Sequence, residues 1–172
     1  MNNYAAHRQR GFLMIEALIA ILIFSLGILG MVAMGGTAIG AQSDARYRTD
    51  ASQLADNIAN LIALNVDRST PNTPSVLQTS LTAFQHQPAG TVCAFSGAAS
   101  AMPLVTGWLS QVTTTGPGLL GLPGTVGAGQ QILVTTTGAN GFNRVEITIC
   151  WRDPGTPTAA PMRRHTLVTF VN

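Results

Sequence analysis

From Ala17 to Gly36 every position is apolar or small except Ser25, and none carries charge. About 20 residues of helix span about 30 Å, the thickness of a bilayer hydrocarbon core, so this stretch predicts a membrane span. No proline occurs between Met1 and Arg68. After Gly40 the pattern changes: Tyr47, Ala51, Leu54, Ile58, Leu61 and Ile62 recur at helical spacing. Asp44, Arg46, Arg48, Asp50, Gln53, Asp56 and Asn57 fall mainly on the other faces. One helix from about Phe12 to Asn65, roughly 80 Å at 1.5 Å per residue, is therefore expected. Its first part is apolar all round, and its second part is amphipathic.

Ser69–Pro74 (STPNTP) ends that helix. Ser75–Gln85 predicts a short helix with Val76, Leu77, Leu81 and Phe84 inward, and Leu104–Val112 predicts another bearing Trp108. Pro88–Pro103, around Cys93, reads as loop, and Thr113–Gly129 is rich in Gly and Pro and reads as irregular. The last third carries the β signal. Gln130–Thr137 predicts a strand, Gly138–Asn143 a turn, and Arg144–Trp151 a strand with Val145, Ile147, Ile149 and Trp151 on one face. Arg152–Pro161 is a connection with a turn-forming Asp-Pro-Gly, and Met162–Val171 completes an antiparallel meander. One sheet leaves its apolar side wet, so that face is expected against the amphipathic half of the long helix. The fold class predicted is α+β.

Only 9% of the 172 residues are charged, against roughly 25% in an ordinary soluble domain. The net charge is +2 and there is no lysine. Nucleic-acid grooves need clustered basic side chains, so nucleic acid is an unlikely partner. The two cysteines, Cys93 and Cys150, lack C-x-x-C spacing and a histidine ladder, which argues against zinc. In an exported domain, distant cysteines suggest a disulfide; the alternative is two buried free thiols. G-x-S-x-G, H-E-x-x-H and phosphate-binding glycine loops are absent, and His86 and His165 read as isolated surface or turn residues, so no enzyme and no cofactor are expected.

His7, Arg8 and Arg10 precede the apolar run, which favours a cytoplasmic N-terminus with the rest exported. An ordinary signal peptide has a shorter apolar stretch, about 7–15 residues, with its cleavage site after it; an unprocessed signal-anchor is the other plain reading. Glu16 is more informative. A carboxylate at the edge of a span is costly and a functional candidate. The alternatives are snorkelling to the headgroups or favourable placement near the positive end of the helix.

The segment GFLMIE, Gly11–Glu16, with the apolar run behind it, resembles the class III signal peptide of type IV pilins and pseudopilins. The resemblance implies cleavage after Gly11 by a prepilin peptidase, with N-methylation of the new amino-terminal Phe12 by the same peptidase/methyltransferase. It implies that Glu16 serves assembly, pairing with the amine of a neighbouring subunit. Residues 1–11 would be a removed leader, 12–41 the transmembrane and filament-core helix, and 42–172 an extracytoplasmic head. That head would include the amphipathic helix half 42–65 and the sheet 130–171, in the lollipop architecture of the pilins. Leu13 departs from the Ser or Thr common in the family, and Ala33 stands where major pilins usually have a kinking proline. Gly27 and Gly30 would either permit close helix packing or simply face lipid.

SLGILG (Ser25–Gly30), SQLADNIANLIALN (Ser52–Asn65), the Trp108 segment followed by GLPG (Gly121–Gly124), and ITICW (Ile147–Trp151) resemble the PilV-like minor pilins, the type IV pilus modification family. Leu61-Ile62-Ala63 departs from it, since basic residues are common there. The resemblance implies a minor pilin that primes assembly of the type IV pilus and joins its tip. It would sit first in the inner membrane as a single-pass protein with a periplasmic head, and afterwards in the fibre. Implied partners are other minor and major pilins, the inner-membrane assembly platform and membrane lipid. A type II secretion pseudopilin shares the leader and helix. A membrane-anchored ligand- or DNA-binding module, using Trp108, Trp151, Arg163 and Arg164, is the reading from another class.

Overall fold

The computed structural model describes residues 12–69, 73–116, 121–136 and 142–172. Gly11 and the rest of the expected leader, and most of the expected 138–143 turn, lie outside them. The chain divides into two units, one through Ser43 and one from Asp44 to Asn172.

Helix α1 runs from Phe12 to Asn65 without interruption. In the first unit it is the only element among the described residues, and from Met14 to Ile39 its large apolar side chains are exposed. Its most apolar 18-residue window has a mean hydropathy of 2.7, long and apolar enough to cross a membrane.

In the second unit the same helix meets the remaining elements. These are α2 (Pro74–Thr82), β1 (Ala89–Thr91), β2 (Ala94–Ser96), α3 (Pro103–Thr113), β3 (Gln130–Thr135), β4 (Asn143–Trp151) and β5 (Arg163–Val171). The architecture is α+β, with an antiparallel sheet in the order β3-β4-β5 and a separate β1-β2 hairpin. Ala51, Leu54, Ala55, Ile58, Ala59 and Ile62 of α1 join Val145, Ile147, Ile149 and Trp151 of β4 in one core. The helical stripe and the alternating strand thus bury each other, as the two periodicities require. Leu81, Phe84, Val105, Trp108, Val112 and Leu122 close that core.

Hydrogen bonds fix the joints. The Trp108 indole N–H donates to Leu54 O at 2.9 Å, satisfying a buried donor on a helix carbonyl. Leu122 N–H donates to Val112 O at 2.9 Å, and Arg152 N–H to Pro123 O at 3.0 Å, so the GLPG segment ties the end of α3 to the end of β4. At the end of α1, Asn65 Nδ2 donates to Leu61 O and Arg68 Nη1 to Ala63 O, at 2.8 and 2.6 Å. Ala63 O is among the last-turn carbonyls that have no partner within the helix, and Arg68 supplies one. The helix therefore ends before the Ser69–Pro74 breaker.

Several expectations change. The loop expected over Pro88–Pro103 contains the β1-β2 hairpin, in register Ala89↔Ser96 and Thr91↔Ala94. Its strands are three residues each, too short for alternation to mark them. Gly90 lies at φ +92°, and a Cβ there would sit 2.5 Å from Ala94 O, so glycine is required. Helix α2 ends at Thr82, leaving Phe84 buried in the following turn rather than on the helix. The expected strand 130–137 is observed as β3 over Gln130–Thr135.

Candidate functional site

Two features outside the core carry chemistry: the uncovered first unit of α1, and the disulfide-linked end of the sheet.

Past its first turn, the backbone of the first unit is satisfied by the helix itself. The hydroxyls fold back onto it as well: Ser25 Oγ donates to Ile21 O at 2.7 Å, and Thr37 Oγ1 to Met34 O at 2.8 Å. A helix whose polar groups are internally satisfied is what a hydrocarbon solvent demands. Glu16 is the exception. It is the one charged residue between Phe12 and Ser43, it is exposed, and it makes no ion pair with a described residue. Around it Met14, Ile15, Leu18 and Ile19 are exposed apolar side chains. A Cβ added at Gly27, Gly30, Gly35, Gly36 or Gly40 would meet nothing within 4 Å. No intramolecular packing therefore calls for these glycines. Phe12 begins α1.

Cys93 and Cys150 form a disulfide, with Cα atoms 5.6 Å apart across a separation of 57 residues. Closing such a loop stabilises a fold by about 4 kcal/mol in the chain-entropy model. Cys93 holds φ +64° in the β1-β2 turn, a left-handed backbone costing about 1–2 kcal/mol for a residue with a Cβ. The covalent bond to β4 stabilises a fold that keeps the turn in place. It also explains why Cys150, on the face of β4 opposite Ile149, is fully buried. Beside it, Gln130 pairs with Ile149 in the last position of the β3-β4 register. Its side-chain amide extends the pairing beyond the start of β3: Cys150 N–H donates to Gln130 Oε1 at 3.1 Å, and Gln130 Nε2 donates to Cys150 O at 3.0 Å. Sequence pattern did not reveal this buried glutamine, because two successive glutamines read as polar strand start.

His86 also departs from expectation. It is 3% exposed, not a surface residue. Its backbone exchanges hydrogen bonds with Ile132, His86 N–H to Ile132 O and Ile132 N–H to His86 O, both 3.0 Å. Ser100 N–H donates to His86 Nδ1 at 3.1 Å. Burial holds the imidazole pKa below the ordinary value, partly opposed by its interaction with the Gly127 backbone. A short polar loop gave no signal of this, since the bridge to Ile132 joins residues far apart in sequence.

The aromatic residues offered for ligand binding are in the core: Trp108 and Trp151 are each 1% exposed. Arg163 faces two carboxylates, Asp153 at 3.0 Å and Asp44 at 3.8 Å. No group of three His, Cys, Asp or Glu side chains suited to a metal ion occurs among the described residues. Surface hollows beside Asp67 and α2, and beside Asp153 and Met162, place no histidine next to a hydroxyl. No family model, no curated protein and no solved structure matches this chain.

Proposed function

We propose that this chain is a minor pilin of the type IV pilus. It is cut after Gly11 and methylated at Phe12, held in the inner membrane by α1 with its head outside, and then inserted into the fibre. Its work is structural. It contributes to priming the filament and its tip by packing its apolar helix among those of other pilins. The observation that carries this reading is the carboxylate of Glu16, without an ion pair among the described residues, on the first unit of α1, which is otherwise uncharged and uncovered. A charge surrounded by exposed apolar side chains is stabilised when a cation meets it in a low-dielectric bundle. A new α-amine on Phe12 of a neighbouring subunit supplies that cation. The Cys93–Cys150 bond fits a head that resides in an oxidising compartment.

Mass spectrometry of the membrane-extracted protein tests the processing. The expected chain starts with N-methyl-Phe12; retention of Met1–Gly11, or release of the head by a cut beyond Gly36, removes the reading. Glu16→Ala is expected to be processed normally yet to be strongly depleted from sheared filaments. Wild-type protein that is mature but never found in filaments would favour the type II secretion pseudopilin instead.

A further inference from the structure

The two edges of the main sheet are treated differently. The β3 edge is closed by the segment after α2. His86 exchanges both backbone hydrogen bonds with Ile132, and Gln131 Nε2 donates to Gln87 O at 2.9 Å. Among the described residues the β5 edge has no such cover. Its nine residues, Arg163–Val171, pair with β4 over their whole length. Outside that ladder, no backbone-to-backbone bond among the described residues reaches them. Every second N–H and C=O of β5 therefore faces away from the sheet.

Proteins normally blunt such an edge with charged side chains, proline, a bulge or very short strands; the charged residues of β5 are confined to its start, Arg163 and Arg164. β5 has no proline and no lysine, and it pairs residue for residue with β4 without a bulge. Its outer face is apolar toward the C-terminal end. Val168 is 41% and Phe170 59% exposed, and the Phe142 ring lies edge-on to Phe170 at 6.3 Å. At the other end Arg164 is exposed and makes no ion pair with a described residue. Arg163 beside it is already matched by Asp153.

We propose that β5 is a docking edge for an extended strand from a second protein. That strand carries β-branched or apolar side chains opposite Val168 and Phe170, and acidic residues opposite Arg164. Backbone bonds to the free edge supply affinity, and the outer-face side chains together with Arg164 set register and direction. Antiparallel pairs are the commoner arrangement. In that direction the acidic residues lie at the C-terminal end of the incoming strand.

The probe is a synthetic nine-residue peptide that alternates valine and threonine and ends in two glutamates. It is added to the full chain in detergent micelles, and amide hydrogen exchange is followed residue by residue. The outward-facing amides of β5 are expected to slow about tenfold or more with peptide, while β3 amides stay unchanged. The same peptide with every second amide N-methylated is expected to give no slowing, and glutamate-to-lysine replacement to weaken binding about fivefold or more. Val168→Lys, on the exposed face, is expected to weaken it as well. Three results overturn the proposal: no slowing at about 1 mM peptide, a range that catches even weak strand addition; equal slowing by the N-methylated peptide; or slow β5 exchange without peptide that deepens with protein concentration, which assigns the edge to a second copy of this chain.

Discussion

Helix α1 passes through two environments, and its two parts obey different rules. Beyond Asp44 its apolar residues form a stripe, and Leu54, Ile58 and Ile62 are within 2% of complete burial. From Met14 to Ile39 its apolar residues occupy every face, and none of the large ones is buried, with Phe24 69% exposed. The same backbone and the same residue types thus serve opposite ends. A stripe is completed inside the chain by the sheet. An all-round apolar surface finds no complement among the described residues of its own unit. Periodicity, not hydrophobicity, separates the core of a fold from an apolar surface that the fold leaves open.

The largest effect that tests this contrast is removal of a core side chain from the head. Both tryptophans of the chain lie in the head, so their fluorescence reports unfolding of that unit alone. Trp108→Ala removes a fully packed indole and its bond to Leu54 O. It is expected to cost the head about 3–5 kcal/mol in denaturant unfolding of the full chain in micelles. Phe24→Ala, a comparable truncation in the first unit, is expected to change the same measurement by no more than about 0.5 kcal/mol. A large loss from Phe24→Ala would show that the head depends on the apolar half, and the division into two kinds of surface would fail.

Next in size is the covalent link. Replacing Cys93 and Cys150 together by alanine is expected to lower head stability by about 2–4 kcal/mol. It should also raise exchange at the β1-β2 amides before those of β3 and β4, because the hairpin has short strands and its turn holds Cys93 at positive φ. Equal stability of the alanine pair would mean that the hairpin is held by its remaining contacts alone.

Much of this was legible in the sequence, for reasons that the two halves of α1 make plain. The helix, the α3 segment bearing Trp108, and the inward set Val145, Ile147, Ile149 and Trp151 follow from periods of 3.6 and 2, which local composition records. Glu16 stood out because a charge at the edge of an uncharged run is expensive. What escaped was set by contacts between distant residues. The β1-β2 hairpin has strands too short to alternate, and it is anchored through Cys93 to a strand 57 residues away. Gln130 and His86 look like polar surface residues until the pairing of β3 with β4 and the Ile132 bridge give their polar atoms buried partners. The free edge of β5 has no local mark at all, since a strand's place in the sheet order is a property of topology.

The smallest effect is also the one most specific to the head. His86 Nδ1 accepts from Ser100 N–H, so a second proton on the ring removes that acceptor and places a charge in a buried site. Burial accordingly holds the folded pKa below the unfolded value of 6.5. Above that value both states are neutral at this residue and it contributes no pH dependence. As pH falls through 6.5 toward the lower folded pKa, the unfolded chain takes the proton first, and stability is lost across that window. His86→Gln keeps an acceptor for Ser100 without a titrating ring. Head stability from pH 7.5 to 5 is expected to fall less in the variant than in the wild type, by on the order of 1 kcal/mol. The first unit has no histidine among its described residues. The helicity of that unit, read from site-specific labels between Ala17 and Gly36, should stay flat over the same range. Parallel slopes in wild type and variant would place the acid sensitivity elsewhere in the head. A slope in the apolar half would show that the acid sensitivity is not confined to the head.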